Sequence, residues 1–239
     1  MSNVIQHSRG NSSPKKSNGL LVIVISLVAL VFVLFSLNYY LNKSTKKNSA
    51  VIEKVTDNRQ TMGDPNAKLK LVEYADFQCP ACARFSTIFP EVFKYINDKY
   101  GSSTLSLTYK YFPLVSIHQN ALLSGDSAEA AKQQGKFWEM HDELFAKQDD
   151  WGEALDAKIK IEGYAKDMGL DMTKFVVDRD SQAAKDSVNA GLKESTQLQL
   201  DHTPTIFING VEWSDISLTV PAMEKALEDK INSTSTDIK

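Results

Sequence analysis

Cysteine is almost missing, with two residues in 239. That excludes a disulfide-stapled scaffold, which needs several pairs. It also leaves no second Cys pair to complete a four-ligand zinc site. The four histidines (His7, His118, His141, His202) show no ligand spacing, so neither metal nor cofactor is expected. Glycine, at 11, and proline, at 7, are too scarce for a collagen-like or low-complexity chain. Acidic residues are absent from residues 1–50, which carry six basic ones: Arg9, Lys15, Lys16, Lys43, Lys46 and Lys47. The remainder holds 21 basic and 30 acidic residues, a net charge of −9. So acidic a part lacks the clustered Lys and Arg that phosphate contacts require, and nucleic acid is excluded as a partner. No internal repeat is visible.

What is present begins with Leu20–Leu37, an 18-residue run with no charge, Gly or Pro. As a helix it spans about 27 Å, or about 33 Å if extended to Leu41, against a hydrocarbon core of about 30 Å. Tyr39 and Tyr40 fall where an interfacial aromatic belt lies. A cleaved signal peptide has a shorter apolar region and a small-x-small site. Here Asn38-Tyr39-Tyr40-Leu41-Asn42-Lys43 follows instead. The expectation is one uncleaved transmembrane anchor at 19–41, with a cytoplasmic tail at 1–18. Basic residues flank it on both sides, so the positive-inside rule does not orient it. Orientation has to come from the chemistry.

A polar stretch follows, with residues 42–61 read as linker and a turn at Gly63-Asp64-Pro65-Asn66. Residues 62–232 are enough for one domain with a core, and 233–239 read as a frayed tail. Lys68–Tyr74 reads as a buried strand, Ala75–Gln78 as a short loop and Pro80–Asp98 as a helix, with Phe85, Ile88, Phe89, Val92, Phe93 and Ile96 on its inner face. A kink is expected at Pro90. Leu105–Phe112 alternates as a second strand. Helices are expected at His118–Gln133, Lys136–Phe145, Asp156–Met168, Met172–Val177 and Asp180–Leu198, a helical insertion over about 116–200. Asp149-Asp150 reads as a solvated loop. Asn209-Gly210 between Thr205–Ile208 and Val211–Trp213 is a strong hairpin signal, and a last helix starts at Pro221. A helix joining two strands makes them parallel, while the hairpin adds antiparallel ones. The predicted class is α/β, a mixed central sheet covered by helices.

Cys79-Pro80-Ala81-Cys82 contains both cysteines, where a strand gives way to a helix. Pro80 at the first helical position puts Cys79 at the N-cap and Cys82 one turn in. Unpaired first-turn N–H groups and the helix dipole favour a thiolate at Cys79, the form that attacks or leaves a disulfide. Cys79 is the expected exposed nucleophile and Cys82 the buried resolving thiol. A purely structural disulfide makes a poor alternative, because so short a loop gains little from closure. Thr203-Pro204-Thr205 precedes a strand, which Pro204 enters rather than occupies.

Strand, Cys-Pro-x-Cys at a helix start, helical insertion, Thr-Pro-Thr, Asn-Gly hairpin and final helix resemble the thioredoxin fold in its DsbA-like form. Glu73-Tyr74-Ala75-Asp76-Phe77-Gln78-Cys79-Pro80-Ala81-Cys82 is similar to that family's signature, and the anchored layout to its membrane-bound Gram-positive members. The resemblance implies a thiol–disulfide oxidoreductase in which Cys79 forms mixed disulfides with clients and Cys82 resolves them. It implies that Pro204 is cis against the pair and that Thr203 offers backbone groups to a client strand. It implies that Glu73 is a buried acid assisting proton transfer; a solvated strand-edge glutamate stays open as an alternative. The best-studied relative has His where Ala81 stands, which implies a less oxidising couple here. His202 is the candidate to compensate. Implied partners are exported proteins with reduced thiols and a quinone-linked membrane oxidase, DsbB-like or resembling vitamin K epoxide reductase. The implied location is the cell membrane, single-pass, with the catalytic domain extracytoplasmic. A reductase, an isomerase and a non-catalytic tethered chaperone remain as alternatives.

Overall fold

The computed structural model describes residues 27–38, 60–214 and 216–236. Helix α1 (27–38) belongs to one unit and the remaining elements to another, and each is described by itself. Among the described residues no helix is long and apolar enough to cross a membrane. The rest of the expected 19–41 anchor, residues 1–18 and residues 42–59 lie outside the described residues. The apolar side chains of α1, including Leu27, Val28, Phe32 and Phe35, are exposed.

The second unit is built on a five-stranded sheet in the order β1-β3-β2-β4-β5. These are β1 (Thr61–Met62), β2 (Leu69–Ala75), β3 (Leu105–Tyr111), β4 (Thr205–Ile208) and β5 (Val211–Glu212). Strands β2 and β3 are parallel and every other pairing is antiparallel, so the sheet is mixed as expected. Helix α2 (Pro80–Tyr100) makes the crossover. It buries Cys82, Phe85, Phe89, Val92 and Ile96 at helical spacing and runs through Pro90 without a break. Proline's missing N–H falls on the exposed face there.

Side-chain alternation along β2 divides the core. Leu69 and Leu71 pack with α2 and with Met223 and Leu227 of α9 (Val220–Thr236). Val72 and Tyr74 face the other way, toward Leu198 and Phe207. The insertion consists of α3 (Ala121–Gln133), α4 (Phe137–Ala146), α5 (Gln148–Trp151), α6 (Ala157–Asp167), α7 (Met172–Arg179) and α8 (Gln182–Gln197). It closes over the C-terminal ends of β2 and β3, where Phe77 stacks on Tyr109 with ring centroids 4.9 Å apart.

Four expectations need correction. Strand β1 lies across the boundary of the stretch read as linker; two residues are too short to show a period. Asp149 and Asp150 belong to α5 rather than a loop, and Asp150 pairs with Lys160 and Tyr164. Residues 233–236, read as tail, continue α9. Ala75, read as loop, ends β2, paired with Tyr111. At the hairpin, Asn209 (φ 50°) and Gly210 (φ 79°) supply the left-handed pair a two-residue turn needs. Asn209 also ties the turn to β2 by accepting from Lys70 N and donating to Lys68 O.

Candidate active site

The site lies where β2 ends. Asp76 Oδ1 accepts from Gln78 N at 2.8 Å and Asp76 O accepts from Cys79 N at 3.0 Å, turning the chain into α2. The buried Asp76 also accepts, through Oδ2, from Leu114 N (2.7 Å) and His118 Nδ1 (2.8 Å). Cys79 is the N-cap with extended backbone angles and Pro80 follows inside the helix, a position where its missing N–H removes nothing. Gln148 of α5 reaches across, its Nε2 donating to Phe77 O at 2.8 Å and Cys79 O at 3.0 Å. Gln78 is held from both sides, accepting from Asn120 N and donating to Glu153 Oε1.

Both thiols are free. Cys79 is 7% exposed and Cys82 0%. Cys79 is therefore more sheltered than expected, with Thr203 O 3.4 Å from its Sγ. As a thiol, Cys79 donates to that carbonyl. The Thr203 hydroxyl, buried and without a hydrogen-bond partner, is a side-chain donor available to the thiolate. The Cys79 pKa is pulled down to about 5. Donation from the Cys82 thiol contributes most, burial opposes it, and the Thr203 hydroxyl and the N–H groups of Cys82 and Ala81 add to it. The sulfur makes no formal capping hydrogen bond. The backbone amides thus act as expected but come behind the neighbouring thiol. The Cys82 thiol moves the opposite way, pushed well up by burial, by its bond to Cys79 and by the Glu73 charge. The two neighbouring thiols are thus shifted in opposite directions.

Glu73 is 1% exposed on the central strand β2, between β3 and β4, so the solvated-edge alternative falls. Burial, then the Cys79 charge, holds its carboxyl well above the usual range. The Thr203–Pro204 bond is cis, with Thr203 buried and Pro204 half-buried, while Pro80 is exposed and Ala81 half-buried. Cys79, Cys82, Glu73, Pro80, Ala81, Thr203 and Pro204 thus gather at one place. His202 does not serve the cysteines: its side chain is 58% exposed and paired with Asp201. Phe137, Met140, Leu144 and Phe145 are core. Among the described residues no group of three or more His, Cys, Asp or Glu is placed to hold a metal ion. Sequence reasoning gave no role to Asp76, although it lies inside the quoted signature, and missed Gln148, which belongs to no motif, and His141, whose helical spacing marks only a core face.

Residues 55–229 match the family model described as thioredoxin. The chain belongs to the thioredoxin family, and within it to the DsbA-like fold. Oxidised BdbD from Bacillus subtilis superposes with a TM-score of 0.62 at 20% identity, covering 72% of this chain and 92% of that one. For α-DsbA1 of Wolbachia pipientis the values are 0.65 and 18%, covering 77% and 96%. MdbA, a thiol-disulfide oxidoreductase from Corynebacterium diphtheriae, gives 0.56 and 20%, covering 72% and 90%. Among curated proteins, the Na(+)/H(+) antiporter NhaA 1 of Mycobacterium sp. (strain KMS) is 32% identical over 197 residues, 80% of this chain and 30% of the relative. NhaA 1 of Salinispora arenicola is 34% identical over 159 residues, 64% of this chain and 22% of the relative. The chain spans under a third of the length of these curated relatives.

Proposed function

We propose that this protein is a membrane-tethered, extracytoplasmic thiol–disulfide oxidoreductase that introduces disulfides into exported proteins through Cys79-Pro80-Ala81-Cys82. The observation that carries this reading is the cysteine pair at the start of α2, with Cys79 at the N-cap, its Sγ 3.4 Å from Thr203 O, and Cys82 fully buried; the downward shift of the Cys79 thiol and the upward shift of Cys82 accord with it. A client thiolate attacks Cys79 in the disulfide form and Cys82 leaves. A second client thiolate then attacks the client sulfur of the mixed disulfide, and Cys79 leaves as the thiolate its surroundings favour. A stabilised leaving thiolate raises the couple's reduction potential, so the direction is oxidation of the client. Thr203, with its backbone beside Cys79, receives the client strand, and Pro204 forms the floor under it. Glu73, a buried acid whose charge the Cys82 thiol feels, takes the Cys82 proton. No cofactor is needed, because exchange moves electrons between sulfurs alone.

The anchor rests on the uncharged run Leu20–Leu37 and the apolar surface of α1 on all sides. An oxidising couple requires an oxidising compartment, which places the domain outside the cytoplasm. A quinone-linked membrane oxidase then restores the disulfide, and tethering raises its effective concentration. Antiport is not carried over from the curated relatives. Equilibrating the couple with glutathione tests the direction. The expected potential lies well above thioredoxin's, about −270 mV, and below DsbA's, about −120 mV, since Ala81 offers no imidazole to the thiolate. A value at or below thioredoxin's overturns the oxidase reading in favour of a reductase.

A further inference from the structure

Cys82 must gain or lose a proton each turnover, yet its side chain has no exposure. A cavity of about 10 Å³ adjoins Glu73 between α2 and α4, room for about one water molecule. Its lining runs from buried Glu73 and His141 to exposed Pro90 and Asp142. Three lining residues hold a buried polar atom without a hydrogen-bond partner: Glu73 Oε1, Trp138 Nε1 and His141 Nε2. Native proteins rarely leave such atoms unpaired, and three partners are what one buried water typically takes. The other ring nitrogen of His141, Nδ1, lies 2.8 Å from Asp142 Oδ1, and that carboxylate is 63% exposed.

We infer that Glu73, a water in this cavity, His141 and Asp142 form the proton exit for Cys82. The inference rests on the exchange reading above and adds the route to solvent. When Cys79 attacks a disulfide, its negative charge is consumed. Burial still favours the protonated Glu73 once that charge is gone, so the transfer is concerted: the carboxyl hands its proton through the water to His141 Nε2 as its second oxygen takes the proton from the Cys82 S–H. His141 passes its Nδ1 proton to Asp142 and so to solvent. The Cys82 sulfur bonds to Cys79, the Cys79–partner S–S bond breaks, and the partner sulfur leaves with the electron pair. The dithiol is oxidised, the partner disulfide is reduced, and one proton has reached solvent. Tyr109, on β3, faces His141 with ring centroids 5.3 Å apart. Its hydroxyl donates to Ala75 O at 3.2 Å, so it stands outside the relay. His141 and Asp142 are positioning residues that act through Glu73.

The reduced protein is mixed with excess 5,5′-dithiobis(2-nitrobenzoate), whose coloured thiolate is released twice. The first release reports Cys79 attack and the second Cys82 resolution. His141→Ala is expected to slow the second phase about 10- to 100-fold, within the reach of a positioned acid–base group. It should leave the first phase unchanged, alter the deuterium-oxide isotope effect on the second, and respond to added imidazole. Asp142→Asn, at an exposed position that threatens no core, is expected to slow the same phase more mildly. A second phase unchanged in both variants overturns the relay and leaves the exchange reading standing. No second release from the wild-type protein overturns the exchange reading, and the relay with it.

Discussion

Cys79 carries its charge in a nearly closed site, where desolvation alone would push the thiol up. The Cys82 S–H and the Thr203 hydroxyl outweigh that penalty. Alkylation of reduced Cys79 by iodoacetamide should therefore follow a titration with its midpoint near pH 5, against about 8.5 for an ordinary cysteine. Thr203→Val should move the midpoint upward by removing one donor. The same shift links to stability. A thiol depressed on folding stabilises the reduced protein fully above about pH 8.5, and that stabilisation is lost as pH falls through about 5. Chemical denaturation of the reduced form should show its stability relative to the disulfide form rising across that window. A gap that stays flat with pH would contradict the thiolate.

At the scale of elements, the insertion is seated against the sheet by close backbone approach. Where α8 crosses β3, a Cβ on Gly191 would stand 2.4 Å from Tyr111 O, a backbone atom. Gly191→Ala should therefore destabilise the domain by about 1–3 kcal/mol, as overpacking does, and a thermal melt measures it. Gly163→Ala, with nothing within 4 Å, is the matched control and should not lower the melting temperature. Elements with a long period were legible in the sequence. Helices α2, α3, α4, α6, α7 and α8 fell within a few residues of their expected bounds, because each repeats an apolar face over at least two turns. Strand β1 and helix α5 escaped because two and four residues contain no period. The cysteine pair, Thr203 and Pro204 were legible as motifs. Gln148 was not, since its role exists only once α5 lies beside the end of β2, 69 residues away from Cys79 in sequence.

For the whole molecule, the testable feature is the uncharged run Leu20–Leu37 in the basic first 50 residues. The full chain is expected in the membrane fraction, resistant to high-salt and alkaline washes and released by detergent. It should keep a mass near 26.6 kDa, where cleavage after the apolar run would remove several kilodaltons. Recovery in the soluble fraction at full mass would contradict the anchor.

The two bonds from Gln148 to Phe77 O and Cys79 O place the sulfur chemistry and the helical subdomain on one lever. A client strand that displaces the cysteine's backbone must also tug at α5. Engagement of a substrate should therefore be felt as slowed or quickened amide exchange deep in the insertion, far from any atom the substrate touches.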